Sequence, residues 1–192
     1  MRKVFYIFLL ILICACPVQV SAEEWDHPDP IYLSFPNTEQ QNKYWCWAAL
    51  AQQIIGSRIG RGIPDQCRLV TMANEAAGLP GVNCCGDPNN RACSRLADSY
   101  EVAGLISRYG GQGRMVPVPR TPDDLYEYLI SGQGLVAVVT LPEGYNHAYL
   151  VRGMSWSASG AMVTINDPAV GRSINMPFNE AQASWRQTMA VE

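Results

Sequence analysis

Trp45-Cys46-Trp47-Ala48-Ala49-Leu50-Ala51-Gln52-Gln53-Ile54-Ile55 runs without a charge, a Gly or a Pro. It is long enough for three helical turns and does not alternate, so it predicts a buried helix over 45–55 that ends at Gly56. Upstream, residues 23–37 carry Pro28, Pro30 and Pro36 and read as an extended lead-in. Downstream, a second helix is expected over 65–77, with Asp65 as N-cap and Gly78 as stop. Residues 82–92 form a loop rich in Cys, Gly, Pro and Asn. A third helix over 96–109 ends at Gly110-Gly111. Thr121 caps a fourth, with Pro122 at its first position and Asp123 and Asp124 in its first turn. After Gly132 the pattern changes to strands, expected over 135–141, 148–153, 161–165, 172–176 and 188–191. The fold class is α+β: a helical N-terminal lobe followed by an antiparallel β-sheet lobe.

The 192 residues are 48% hydrophobic and 16% charged, with a net charge of −3. That length fits one domain, and the composition excludes disorder, coiled coils, solenoids and collagen. No basic block marks a nucleic-acid binder. Arg2 and Lys3 precede an uncharged run over 4–15, then Pro17 and the small residues Ser21 and Ala22. This is the pattern of a secretory signal cleaved after Ala22, leaving residues 23–192 as a single domain. The run is too short to span a bilayer. Ile13-Cys14-Ala15-Cys16 offers an alternative, a lipid anchor at Cys16. Cleavage removes Arg2 and Lys3 and no acid, taking the net charge from −3 to about −5. The expected location is secreted or periplasmic.

Seven Cys are present. With Cys14 and Cys16 in the signal, Cys46, Cys67, Cys84, Cys85 and Cys93 remain. In an oxidising compartment the four clustered Cys form two disulfides and leave Cys46 as a free thiol. A bridge between the adjacent Cys84 and Cys85 is disfavoured by strain, and the other two pairings stay open. Zinc is a poor fit, because adjacent ligands do not match the usual ligand spacing.

A free thiol at the start of a buried helix is a setting for a nucleophile, since helix N-terminal amides and a nearby imidazolium stabilise a thiolate. The chain has two His. His27 lies in the lead-in. His147 opens a strand, and Asn166-Asp167 ends the next one. Antiparallel pairing would bring these two ends together, so Asp167 or Asn166 can orient the imidazole. Trp45 and Trp47 are expected in the core. Gly110-Gly-Gln-Gly113 follows a helix instead of a strand and makes a poor phosphate loop.

Gln40…Cys46-Trp47-Ala48-Ala49, then Asn146-His147-Ala-Tyr-Leu-Val-Arg-Gly153, then Asn166-Asp167-Pro168-Ala-Val-Gly171 resembles the papain-like cysteine proteases over roughly residues 33–172. More narrowly, it is similar to the bacterial branch with a Trp-Cys-Trp-Ala-Ala nucleophile motif that includes a plant-pathogen effector protease. Gln66-Cys67 and Cys84-Cys85 also resemble features of secreted members of that branch. The resemblance implies a site between two lobes. There Cys46 is the nucleophile, His147 the general base and acid, and Asp167 the residue that holds the imidazole. It implies that Gln40 supplies an oxyanion-hole amide, with Gln41 as fallback. Asn146 stands where relatives have Gly. No Asp-Cys-Ser-Gly motif of the cell-wall peptidases is present. Only residues 23–45 separate the expected cleavage point from Cys46, so a papain-type propeptide is not expected.

The function expected is an exported cysteine endopeptidase acting on protein or peptide through a thioester, as a monomer, with no cofactor, metal or nucleic acid. The same triad would also serve a cell-wall peptide amidase or an acyl transferase. A disulfide-braced binding module is the non-enzymatic alternative.

Overall fold

The apolar stretch becomes the central helix of the molecule. A computed structural model describes residues 27–79, 81–142 and 144–192. The expected signal, with Cys14, Cys16 and the cleavage point after Ala22, lies outside them. The elements run β1 (Ile31–Tyr32), α1 (Cys46–Ile59), α2 (Gln66–Ala76), α3 (Ser99–Ser107), β2 (Gly113–Val116), α4 (Pro122–Ile130), β3 (Gly134–Thr140), β4 (Asn146–Ser157), β5 (Gly160–Asp167), β6 (Arg172–Pro177), α5 (Phe178–Ser184) and β7 (Trp185–Val191). The architecture is α+β.

One antiparallel sheet runs β2-β7-β3-β4-β5-β6. β4 is long. Its first half pairs with β3 on one side, and beyond the first residue of β3 the short β1 takes over at Gly153 and Met154. Helices cover both faces of the sheet. Leu50, Ile54, Ile106, Val136, Leu150 and Met189 belong to the cluster on the α1–α3 side. Leu125, Leu129, Leu135, Val151, Ile165 and Phe178 belong to the cluster under α4 and α5. A strand buried on both faces reads as a continuous apolar run, which is why Leu135-Val-Ala-Val-Val139 does not alternate.

Several boundaries differ from the sequence expectation. α1 passes through Gly56 and stops at Gly60, whose left-handed φ of 67° closes the helix. A Cβ at Gly56 would lie 3.0 Å from Ile63 Cδ1 and 3.1 Å from Pro36 Cγ, so this Gly serves close packing and not termination. α3 begins at Ser99, not 96, because Asp98 and Glu101 form a reciprocal capping box there. β4 continues past Gly153 to Ser157. β7 starts at Trp185, ahead of the expected 188, and its pairing with β3 shifts register between Val138 and Val139. β1, β2 and α5 are too short to leave a periodic signal.

The β4–β5 ladder skips Arg152: Val151 pairs Ile165 and Gly153 pairs Thr164. This bulge sits where β1 crosses, and a Cβ on Gly153 would come within 2.5 Å of Tyr32 Cδ1 and 2.8 Å of the Ile31 carbonyl. Gly153→Ala should therefore lose about 1–3 kcal/mol to overpacking. Gly104 in α3 has nothing within 4 Å of such a Cβ, and Gly104→Ala should gain about 0.4–1 kcal/mol. Urea unfolding of both variants checks the pair, and a neutral Gly153→Ala would contradict the crossing described.

Candidate active site

Cys46 is the first residue of α1, and its N-cap Trp45 offers no side-chain cap. The leading N–H groups of a helix have no partner within it, so the Cys46 end of α1 presents backbone donors. The residues on either side anchor it. Trp45 and Trp47 are buried, and their indole N–H groups donate to the carbonyls of Cys93 (2.7 Å) and Arg95 (3.1 Å). Those carbonyls belong to the loop braced by Cys67–Cys85 and Cys84–Cys93, with Cα separations of 4.8 Å and 5.5 Å. Of the two pairings left open by the sequence, the structure has this one, with Cys46 as a free, buried cysteine. Arg95 then ties the loop to its surroundings. It makes a two-armed contact with Glu101 at 2.6 and 3.0 Å and donates to Asn74 at 2.8 Å.

His147 is the second residue of β4, and Asp167 the last of β5. The ladder pairs Leu150 with Asn166, so the start of one strand lies beside the end of the other. His147 Nε2 and Asp167 Oδ1 are 2.7 Å apart, and the Ala169 amide donates to the same oxygen at 2.8 Å. With Nε2 taken, Nδ1 is the nitrogen left to face Cys46. Asn166 does not reach the ring; its side chain turns toward α1.

Burial works against charge on His147. Hydrogen bonds to Asp167 and Cys46, with the negative charge of both, outweigh it and push the imidazole from 6.5 to about 9. Burial would raise Asp167, but bonds from His147 and the Ala169 amide, with the His147 charge, hold its carboxyl below the ordinary 3.8. Tyr149, hydrogen-bonded to the Trp185 indole, is pushed up to about 12 by burial.

Cys46 and His147 open onto a cleft of about 330 Å³, walled by Trp47, Leu96, Ala97 and Asp98 on the helical side and by Val138, Ala148 and Gln187 on the sheet side. Gln40 is not among the lining residues. Its Nε2 donates to the Asn42 carbonyl at 3.0 Å, and its backbone N–H donates to Pro168 at 2.9 Å, next to Asp167. Its Oε1 is buried without a hydrogen-bond partner. The Gln41 side chain is exposed, and its backbone N–H donates to Gln66. Sequence inspection missed the 96–98 wall, although Asp98-x-x-Glu101 is a legible capping box. Gln187 reaches the cleft through the β7 register, which no local signal foretells. Among the described residues, no cluster of three or more His, Cys, Asp or Glu could hold a metal ion, and no helix is long and apolar enough to cross a membrane.

No protein-family model and no curated protein sequence matches the chain. Solved structures do. A protein described as a C39-like peptidase from Bacillus anthracis has a TM-score of 0.57 over 86% of this chain and 98% of its own, at 15% identity. The peptidase domain of Streptococcus ComA, a bifunctional ABC transporter of a quorum-sensing pathway, has a TM-score of 0.56 over 83% and 97%, at 16% identity. A structure from work on the mite allergens Blo t 1 and Der p 1 has a TM-score of 0.55 over 90% and 74%, at 12% identity. At these identities the likeness is one of fold. The chain has the α+β papain-like fold.

The His147–Asp167 pair predicts a pH signature in stability. The raised His147 contributes fully below about pH 6.5, and that contribution fades as pH climbs through about 9. The lowered Asp167 contributes fully above about pH 3.8 and loses its contribution as pH falls through its depressed pKa. The melting-temperature advantage of the wild type over His147→Gln should thus hold from about pH 4 to 6.5 and decline toward 9. A difference that stays flat from 6.5 to 9 would show that the ring is not held charged.

Proposed function

We propose that the protein is an exported papain-like cysteine peptidase, of the branch with a Trp-Cys-Trp-Ala-Ala nucleophile motif. In this reading Cys46, His147 and Asp167 are a triad and Gln40 is an oxyanion donor. The observation that carries it is the 2.7 Å His147–Asp167 contact, in a ring whose remaining nitrogen faces the one free thiol among the described residues. The shared fold with C39-like and transporter peptidases supports peptide-bond hydrolysis. The disulfides support export, and with it a signal cleaved after Ala22 and a single catalytic domain over 23–192.

The chemistry follows from the two ring nitrogens. The Cys46 proton resides on His147 Nδ1, giving a thiolate–imidazolium pair, while Nε2 stays bonded to Asp167. The sulfur adds to the scissile carbonyl carbon, and its oxygen becomes an oxyanion, for which the Cys46 backbone N–H and the second hydrogen of the Gln40 amide are the donors of this reading. Collapse breaks the C–N bond, His147 gives its proton to the leaving amine, and a thioester remains. Water, deprotonated by the neutral ring, adds to the thioester. Collapse releases the acid and regenerates the thiolate. An amine acceptor in place of water would make the same intermediate an acyl transfer, so casein and peptidoglycan digests run side by side with an amine trap separate these outcomes.

Peptide turnover by purified, folded variants tests the assignment. Cys46→Ala and His147→Ala should each abolish hydrolysis, and the double variant should be no worse, because the two act as a unit. Asp167→Ala should be milder, since it orients the ring. Gln40→Ala should lower turnover by up to about 10²–10³ with little change in ground-state binding. Unchanged turnover there moves the oxyanion role to Gln41 or to backbone amides alone. The alkaline limb of kcat/KM should fall near pH 9, following His147, and move to lower pH in Asp167→Asn. A folded Cys46→Ala protein with wild-type turnover ends the assignment.

A further inference from the structure

Between α1 and the sheet, the core is not wholly apolar. Gln53 on α1 and Asn166 on β5 are both 0% exposed, and Asn166 Nδ2 donates to Gln53 Oε1 at 3.2 Å. Every other polar atom of the two amides is also engaged. Asn166 Nδ2 also lies 3.3 and 3.4 Å from the carbonyls of Phe35 and Pro36. Asn166 Oδ1 accepts from Arg152 Nε at 2.9 Å and from Ser173 Oγ at 2.8 Å. Gln53 Nε2 donates to the Thr38 carbonyl at 3.3 Å. Arg152, set free of the ladder by its bulge, also donates to the Leu33 carbonyl at 3.1 Å and to Ser173 at 3.1 Å, and none of these acceptors is a carboxylate.

The placement of the two amides is what matters. Gln53 is seven residues after Cys46, about two turns along the same face of the same helix, roughly 10 Å away. Asn166 immediately precedes Asp167, about 3.3 Å along the strand. A closed frame results. α1 is one side, and the ends of β4 and β5 are the other. The contacts of Cys46 with His147 and of His147 with Asp167 close the frame at the cleft, and the Gln53–Asn166 bond closes it inside the core. Apolar packing fixes such a spacing loosely, because side chains can slide past one another. A directional bond between buried amides does not allow sliding.

We propose that Gln53 and Asn166 are positioning residues for the reaction: their side-chain bond sets the separation between the helix that begins with Cys46 and the strand end that carries Asp167. They touch no reacting atom and act through Cys46, His147 and Asp167, so the inference rests on the triad reading above. A shift of about 1 Å at a reacting pair costs on the order of 10² in rate, so loss of this crossbar registers in chemistry before it registers in fold.

Alkylation of Cys46 by iodoacetamide reads the thiol–imidazole spacing without any peptide substrate. The groups that face the thiol and shape its pH profile are His147 and, through it, Asp167, with Asp98 on the opposite wall of the cleft. In the full chain, Gln53→Met keeps the length of the side chain and removes both polar atoms. It should fold by circular dichroism, alkylate about tenfold more slowly at neutral pH and rise with pH as a simple thiol does. Peptide kcat should fall by about 10–10² with KM within about twofold. Gln53→Glu, when neutral, restores one acceptor and one donor and should recover most of the alkylation rate. If Gln53→Met does not fold, Asn166→Ser, too short to reach Gln53, removes the same contact together with those to Arg152, Phe35 and Pro36. A folded Gln53→Met or Asn166→Ser protein with the wild-type rate and pH profile overturns the proposal, as does a Gln53→Glu protein no faster than Gln53→Met. Slow, His147-independent alkylation of the wild type would instead end the peptidase reading, and it is seen before any Gln53 variant is made.

Discussion

A helix with no polar face has to be covered on every side, and most of this molecule is the covering of α1. Ten of its residues are buried, from Cys46 to Gly56. The sheet lies against one side, α2 and α3 against another, and the lead-in closes the gap over Gly56 through Pro36. Its flanking tryptophans bury their rings and still need acceptors, which they find in the carbonyls of the disulfide-braced loop. The helix is therefore enclosed from Cys46 to Gly56, leaving Ser57, Arg58 and Ile59 exposed, and its first residue opens onto the cleft. Cys46 meets the cleft where the covering stops.

Polar contacts then do what apolar burial cannot. Hydrophobic contact holds α1 against the sheet but does not choose among nearby offsets. The choice falls to directional bonds: two indoles onto the loop, Gln66 onto the Glu39 carbonyl at 2.7 Å with the Gln41 amide donating to Gln66 at 2.9 Å, Asn166 onto Gln53, and His147 onto Asp167. The last differs in kind because it carries charge. Its two partners are shifted in opposite directions from their ordinary values, which is what a buried ion pair does when attraction exceeds the loss of hydration.

The sequence was most legible where a physical requirement is local. The apolar run over 45–55, Pro122 behind Thr121, and the uncharged β3 segment each announce themselves within a dozen residues. The helix start at Asp98 is equally local, carried by the Asp98–Glu101 capping box, although the expected helix begins at Leu96. Elements fixed by distant partners were silent. β1 is two residues that form a strand on the stretch of β4 that β3 leaves unpaired, and β2 exists because β7 is there to pair with it. At the site, Cys46, His147 and Asp167 could be picked out by residue type and strand order. The choice between Asp167 and Asn166 depends on which side of β5 meets α1, and the disulfide pairing depends on how the 82–92 loop folds back on α2. The buried amides gave no signal, since a Gln in a helix reads the same whether it faces water or a core.

β7 pairs with both β2 and β3, although its residues come last of all the strands along the chain. During synthesis, at roughly 5–20 residues per second, the Cys46 segment precedes the β7 segment by on the order of ten seconds. Until residues 185–191 arrive, the sheet wall of the cleft has no Gln187 and β3 has one free edge. A nascent chain thus carries its thiol well before it can carry an assembled site. The order of the strands alone imposes a delay between making the thiol and enclosing it.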